Sequence, residues 1–274
     1  MSFYYSFIAG LPDLEFDVGQ DTVLPVLYPG ILEEILPPEE LEWVRLLWLR
    51  RFHLPVIAWL SGESQGEDLP PELPVEAFHS ANEAFQALPL YLRQLVLWKE
   101  NDRGELPSAR IAHRLQQLYF RQLLASPNQF IREWGQSEMN LVNFMAARRS
   151  EATAADKKQQ LIPGNSYYEL LQEFTTSQKI IQTEYQLAAK LEPLFANANL
   201  LERELEMDRL RWNAIDEINR FEYFTLDVIL GYFQKVLLLQ RWRKIVHPRE
   251  PLGIREITGI YLKNQNPESA KHGK

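Results

Sequence analysis

The amino-acid sequence predicts a mostly α-helical protein, with a multi-helix funnel- or bundle-like architecture of two helical units behind a short N-terminal extended segment. Three observations favour this fold class. Apolar residues recur at helical spacing from Pro29 onward, helix-start signals precede most of the apolar runs, and 46% of the 274 residues are hydrophobic against 24% charged. A chain of this length and balance buries a substantial core.

The composition narrows the classes of function. A net charge of −8 argues against a broad basic surface for nucleic acid. The absence of cysteine excludes disulfides, thiolate catalysis and thiolate zinc sites. The longest apolar stretch, FTLDVILGYFQKVLLL, is interrupted by Asp227, Gln234 and Lys235 and falls short of the roughly 20 residues of a membrane span. We therefore expect a cytoplasmic protein that reaches a membrane only indirectly, through partners.

Residues 1–150 are expected to hold the extended segment and the first helical unit. The start, FYYSFIAGLPDL, is aromatic and β-branched before a turn, which is typical of an extended segment. Pro37 and Pro38 fit the first turn of a helix that Pro55 breaks or kinks, and residues 61–76 read as a solvated loop. Further helices are predicted from about 75 to 99, from Ser108, and from Pro127 to Arg149, the last with Ser126 as its N-cap.

The second half is predicted as a loop over 151–165, a second helical unit over 166–263 and a disordered tail over 264–274. Ser166 and Glu169 have the spacing of a capping box. A charged helix covers 200–219, and Thr225 is expected to cap a last helix that is apolar almost all round and therefore buried.

A search for catalytic and metal-binding patterns finds none that is specific. The 12 glycines form no phosphate-binding loop, and no serine lies in a nucleophile elbow. Glu76 and His79 have the i, i+3 spacing of di-iron bundles, but no second pair exists, so an exposed acid and histidine are the better interpretation. We expect no catalytic residues, metal or cofactor.

The stretch EMNLVNFMAARR, residues 138–149, is the most informative segment. Asn140, Phe144 and Arg148 fall on one line of a helix, and Asn143 lies beside it next to an apolar face. Asparagine is a poor helix former, and an unpaired buried amide costs ~1–3 kcal/mol. Either these side chains form hydrogen bonds with a neighbouring segment at fixed positions along the helix axis, or they face water.

Together with its flanks, this stretch resembles the repeated segment of the C-type (or d-type) coupling subunit of V/A-type rotary ATPases, a helical funnel. The chain also resembles an uncharacterised bacterial family encoded within V/A-type ATPase operons, through its N-terminal YYSFIAGLPDL and its C-terminal FTLDVILGYFQKVLLLQRW. The resemblance selects structural or interface residues in these segments: Glu138, Asn140, Asn143, Arg148, Asp227, Tyr232, Arg241 and Trp242.

The resemblance implies a non-catalytic protein that couples the central-shaft subunits of the ATPase to its membrane proteolipid ring on the cytoplasmic face, with no small-molecule substrate. The funnel of the rotary ATPases has three similar helical units, whereas two are evident here. The alternative is a freestanding helical scaffold or regulatory adaptor that docks through the charged helix over 200–219.

Overall fold

The structure is a computed structural model, which describes residues 4–16, 29–102, 104, 106–153, 157–164, 168–172, 186–196 and 199–246. Its regular elements are α-helices and short 3₁₀ turns, and within these ranges no residue is in a β-strand. The α-helices are α1 (Tyr5–Ala9), α2 (Pro29–Leu32), α3 (Pro38–Leu49), α4 (His53–Ser61), α5 (Leu90–Asn101), α6 (Ser108–Leu124), α7 (Gln129–Thr153), α8 (Lys157–Gln160), α9 (Tyr168–Gln172), α10 (Gln186–Ala196), α11 (Leu200–Ile218) and α12 (Leu226–Val246). The predicted all-α class is confirmed.

Within the described part of the N-terminal segment, Tyr5–Ala9 form the single-turn helix α1, so the predicted extended conformation is wrong there. The amide of Ile8 donates to the carbonyl of Tyr4 at 2.9 Å, and the Tyr4 hydroxyl donates to Glu40 on α3 at 2.5 Å. Phe7 packs against the core. Aromatic residues favour strands only where a sheet offers them a surface to pack on, and here helices supply that surface.

Helix α3 starts at Pro38, as predicted from the proline pair and the acids that follow it. The expected break occurs before Pro55, in a 3₁₀ turn over Arg50–Phe52, and Pro55 itself lies in the first turn of α4. The missing amide of a proline costs no hydrogen bond in a first turn. This turn is important for the site because it supplies Arg50.

The single helix predicted from 75 to 99 is wrong in its first half. That half forms two 3₁₀ turns, Val75–Phe78 and Glu83–Ala87, and α5 begins only after Pro89. The Asn82 side chain accepts from the amide of Ala84 at 2.9 Å and starts the second turn. Local side-chain capping by asparagine therefore competed successfully with the helical pattern.

Helix α7 starts two residues after the predicted Pro127. Asn128 fills the cap position, because its Oδ1 accepts from the amide of Ile131 at 2.9 Å, while the Ser126 hydroxyl accepts from the amide of Asn128. The helix continues to Thr153, and α8 forms a further turn within the predicted 151–165 loop. A Cβ on Gly135 would lie 2.7 Å from the Leu123 Cβ, so α6 and α7 approach closely.

Two buried clusters form the core. The larger contains side chains of α2 to α7 together with α11 and α12, and the smaller surrounds the second half of α7, with Leu161, Leu171, Leu191 and Met207. Helix α12 is buried on most sides, as predicted. The division into two units stays a prediction. The Ser166 cap and the 264–274 tail lie outside the described residues.

Candidate functional site

A chain of alternating charges runs across the contact of α7, α11 and α12. On α7, Glu138 accepts from the Arg211 Nε of α11 at 2.7 Å and pairs with Arg50 at 2.5 Å. Arg211 also donates to Asp208, one helical turn earlier, at 2.6 Å. Asp208 in turn accepts from the Nη1 of Arg241 on α12, and the Nη2 of Arg241 lies 2.6 Å from a carboxylate oxygen of Glu204. We call this set the ionic chain: Arg50, Glu138, Arg211, Asp208, Arg241 and Glu204.

The middle of the ionic chain is buried and its ends reach solvent. The side chains of Glu138 and Asp208 are 1% and 0% exposed, whereas those of Arg50 and Arg241 are 30% and 41% exposed. A buried carboxylate needs paired and hydrogen-bonded charges around it. Both carboxylates have two cations each, so the interior part of the chain is neutralised.

The pKa values of the buried pair indicate which effect dominates. Burial alone would raise the pKa of Glu138, but the positive charges of Arg211 and Arg50 together lower it below its ordinary value. Burial alone would lower the pKa of Arg211, and the charges of Glu138 and Asp208 raise it instead. In both groups the opposite charges therefore outweigh the effect of burial, and the charged form of each is favoured.

Trp242 fixes the orientation of Asp208 from α12. Its indole Nε1 donates to the Asp208 Oδ2 at 2.8 Å, and the ring is 2% exposed. The resemblance selects both Arg241 and Trp242, which are adjacent in sequence. In the structure both side chains donate to the carboxylate of Asp208. Adjacent residues of a helix point in different directions, so the long arginine reaches Asp208 from the solvent side.

The two asparagines of α7 have different surroundings. Asn143 is fully buried and forms two hydrogen bonds with the backbone of Ile162, accepting from its amide at 2.8 Å and donating to its carbonyl at 2.9 Å. Asn140 is half-buried and accepts from Gln136 on the same helix. Asn143 thus holds the segment after α8 against α7, and its partner is a backbone segment rather than another helix.

The other predicted residues link helices at the edges of this region. Arg148 pairs with Glu151 at 2.9 Å and with Glu192 of α10 at 3.5 Å. Asp227, in the first turn of α12, accepts from Asn128 at the start of α7 at 2.5 Å, and burial raises its pKa. The Tyr232 hydroxyl donates to the Pro12 carbonyl at 2.9 Å. Seven of the eight predicted residues therefore contact another segment of the chain, and Asn140 accepts a hydrogen bond from Gln136.

Nothing in this arrangement supplies a metal site. Within the described residues no group of three or more acidic, histidine or cysteine side chains could hold a metal ion. Glu76 lies on a 3₁₀ turn and His79 directly follows it, so the pair does not share a helix. The ionic chain holds α7, α11 and α12 in one fixed position relative to one another.

Sequence reasoning missed Arg50, Asp208 and Arg211. The sequence predicts a solvated or partner-facing surface for the part of the 200–219 helix outside its partial apolar stripe, yet Arg211 of that part lies inward beside Asp208. An available signal was the position of Asp208 within the incomplete apolar stripe formed by Leu205, Trp212 and Ile215. An acid in such a stripe indicates a buried partner cation.

The fold and the site define an all-helical protein whose centre is organised by buried ion pairs. The chain belongs to the family described as protein of unknown function (DUF2764), whose model matches residues 1–260. No curated protein and no solved structure matched the chain. Among the helices that the structure describes, none is long and apolar enough to cross a membrane.

Proposed function

We propose that this protein is a non-catalytic subunit or accessory component of a bacterial V/A-type rotary ATPase, similar to the C-type funnel, that couples the central shaft to the membrane proteolipid ring. It would then act on the cytoplasmic face of the membrane, held there by protein partners.

One observation carries the proposal: the three segments with the resemblance are joined to one another. The carbonyl of Pro12, in the N-terminal LPDL turn, accepts a hydrogen bond from Tyr232 of α12. Asp227 of α12 accepts a hydrogen bond from Asn128 at the start of α7. The ionic chain then connects Glu138 of α7 to Arg241 through α11. Segments far apart in sequence thus form one structural unit, as expected if the resemblance reflects a common architecture.

The character of the contacts also favours a mechanical role. A coupling element must resist deformation, and each ion pair fixes direction as well as distance. Glu138 and Asp208 are each paired with two arginines, and Trp242 also donates to Asp208. These residues are therefore assigned to holding helices in position.

Co-purification from the native host is the first test. A tagged chain should recover shaft, ring or head subunits of the ATPase from gently solubilised membranes, while the same tag on an unrelated acidic helical protein should not. An intact, active ATPase complex purified without this chain would contradict the proposal, and the scaffold alternative would then be preferred.

Ion pumping tests the coupling itself. Membranes from a strain that lacks the gene should still hydrolyse ATP at the head, because that chemistry belongs to other subunits, but should lose ATP-driven ion uptake. Expression of the full chain should restore uptake. If a complete complex contains this chain together with a separate funnel of the C type, the protein is an accessory component rather than a replacement.

A further inference from the structure

A cleft of about 610 Å³ opens beside the ionic chain, between α3, α7, α11 and α12. Five cationic and three acidic side chains line it, although the protein as a whole has a net charge of −8. The three acids are Glu138, Glu204 and Asp208, and all of them are already paired within the ionic chain. The excess positive charge of the cleft belongs to Arg51 and Lys244.

Arg51 is held in place by aromatic rings rather than by an acid. Its guanidinium lies 4.3 Å from the centre of the Trp48 ring and 5.6 Å from that of Phe52. Its one hydrogen bond to a side chain of the described residues is a long one, 3.4 Å to Gln240. A guanidinium stacked in this way keeps its donor edges available for an oxyanion.

Lys244 shares the cleft with Arg51 and has no carboxylate partner in the described part of the chain. Burial lowers the pKa of Lys244, and the positive charge of Arg51 lowers it further. Two neighbouring cations without a counter-ion repel each other, and a bound anion would remove that repulsion.

The walls of the cleft also contain buried donors without acceptors. Gln234 is 7% exposed and Trp134 is 2% exposed, and both line the cleft. The Gln234 Nε2 and the Trp134 Nε1 donate to no acceptor among the described residues. A buried N–H without a partner is costly, and most such groups in proteins have one. A ligand that is negatively charged and only accepts hydrogen bonds would satisfy both the cations and the unpaired donors.

We propose that this cleft binds a small multivalent oxyanion, a phosphate- or carboxylate-bearing molecule, with Arg51 and Lys244 as its charge partners and Gln234 as a buried donor. The proposal goes beyond the role in a rotary ATPase and does not depend on it. Charge-assisted hydrogen bonds from a guanidinium fork are the strong contacts in such a site.

Calorimetric titration of the full chain with inorganic pyrophosphate and, separately, with citrate tests this proposal. One saturable site is expected for at least one of the two anions, and their comparison distinguishes a phosphate ligand from a carboxylate ligand. Arg51→Gln should weaken the binding about tenfold or more, as the loss of a bidentate charged contact implies. Arg51→Lys keeps the charge without the fork and should weaken it less.

Arg45→Gln is the matched control, because Arg45 lies on α3, has the same charge and pairs with Glu33 away from the cleft. It should leave the affinity unchanged. Sodium chloride at equal ionic strength should produce no saturable heat. Equal losses in Arg45→Gln and Arg51→Gln would overturn the proposal, as would the absence of saturable binding for both anions. Far-UV circular dichroism confirms that each variant is folded.

Discussion

Two helix contacts of this protein are built in opposite ways. Helices α5 and α6 meet through apolar and aromatic side chains, among them Leu95, Leu115 and the ring pair of Tyr91 and Tyr119, whose centroids are 5.3 Å apart. Helices α7 and α11 are joined by the largely buried ion pair of Glu138 and Arg211, and Arg211 also pairs with Asp208 of its own helix. The first contact contains one directional bond, from the Tyr91 amide to the Gln122 Oε1 at 2.8 Å, whereas the second depends on direction at a buried ion pair.

The difference teaches what each contact specifies. Apolar surfaces stabilise in proportion to the area removed from water and tolerate small shifts in register. A buried ion pair adds little net stability, but it penalises heavily any register that leaves one charge alone. The ionic chain therefore acts mainly by excluding other positions of α11 and α12, which suits a part whose shape must be fixed.

Removing the central cation should have the largest effect. Arg211→Met leaves Glu138 and Asp208 each with one cation instead of two and should lower the free energy of unfolding by about 3–5 kcal/mol. Urea denaturation followed by circular dichroism measures this loss. The size of the effect separates an ionic contact from an apolar one, because methionine retains most of the packing volume.

The matched control lies two residues away on the same helix. Arg209 pairs with Glu206 at the exposed surface, so Arg209→Met should change stability by no more than about 0.5 kcal/mol. The triple variant Glu138→Gln, Arg211→Met, Asp208→Asn leaves no unpaired charge in the buried middle of the ionic chain and should recover much of the loss. Similar values for Arg209→Met and Arg211→Met would remove the distinction between the two contacts.

The asparagines of α7 provide the second test. Asn143→Ala leaves the buried amide and carbonyl of Ile162 without partners and should lower the free energy of unfolding by about 2–3 kcal/mol. Asn140→Ala, at a half-buried site, should cost about 0.5–1 kcal/mol. Thermal melts of both single variants and of the double variant check this. A larger loss for Asn140 than for Asn143 would show that the backbone contact is unimportant.

The apolar side of the comparison has its own titrating group, His53. It donates to or accepts from the Tyr91 hydroxyl at 3.1 Å and lies edge-on to Tyr119. Burial, and then the charge of Arg50, lower its pKa from 6.5 to about 3. Below pH 6.5 His53 binds a proton in the unfolded chain but stays neutral in the folded protein. The contribution of neutral His53 to the free energy of unfolding is therefore fully present above pH 6.5 and is lost as the pH falls towards 3.

Between pH 7 and pH 5 the wild type should lose about 2 kcal/mol of stability through His53. The variant His53→Gln keeps a hydrogen-bonding side chain without a titration in this range, so its stability should fall less over the same interval. Urea titrations at the two pH values give the difference. Equal slopes in the two proteins would mean that His53 is accessible to protons in the folded state.

The sequence predicted the helical class and the residues of the site better than it predicted their partners. Periodicity and the proline pair located α3, and the apolar run located α12, because both are local signals. Glu138 and Trp242 were selected, but Arg50 and Asp208, which complete their contacts, lie far away in sequence. The sequence of a helix does not indicate whether a charged residue faces water or a buried partner, because that depends on the tertiary structure.

The smallest expected effect tests whether the N-terminal segment belongs to the same unit as the ionic chain. Tyr232 lies on α12, and its hydroxyl donates to the Pro12 carbonyl at 2.9 Å. Tyr232→Phe keeps the ring and should cost about 0.5–1 kcal/mol, the net worth of one partly exposed hydrogen bond. Amide hydrogen exchange should rise in residues 5–11 and stay unchanged around Asp208. A uniform rise across both regions would show instead that α12 itself had shifted, because the ionic chain would then loosen together with the N-terminal turn.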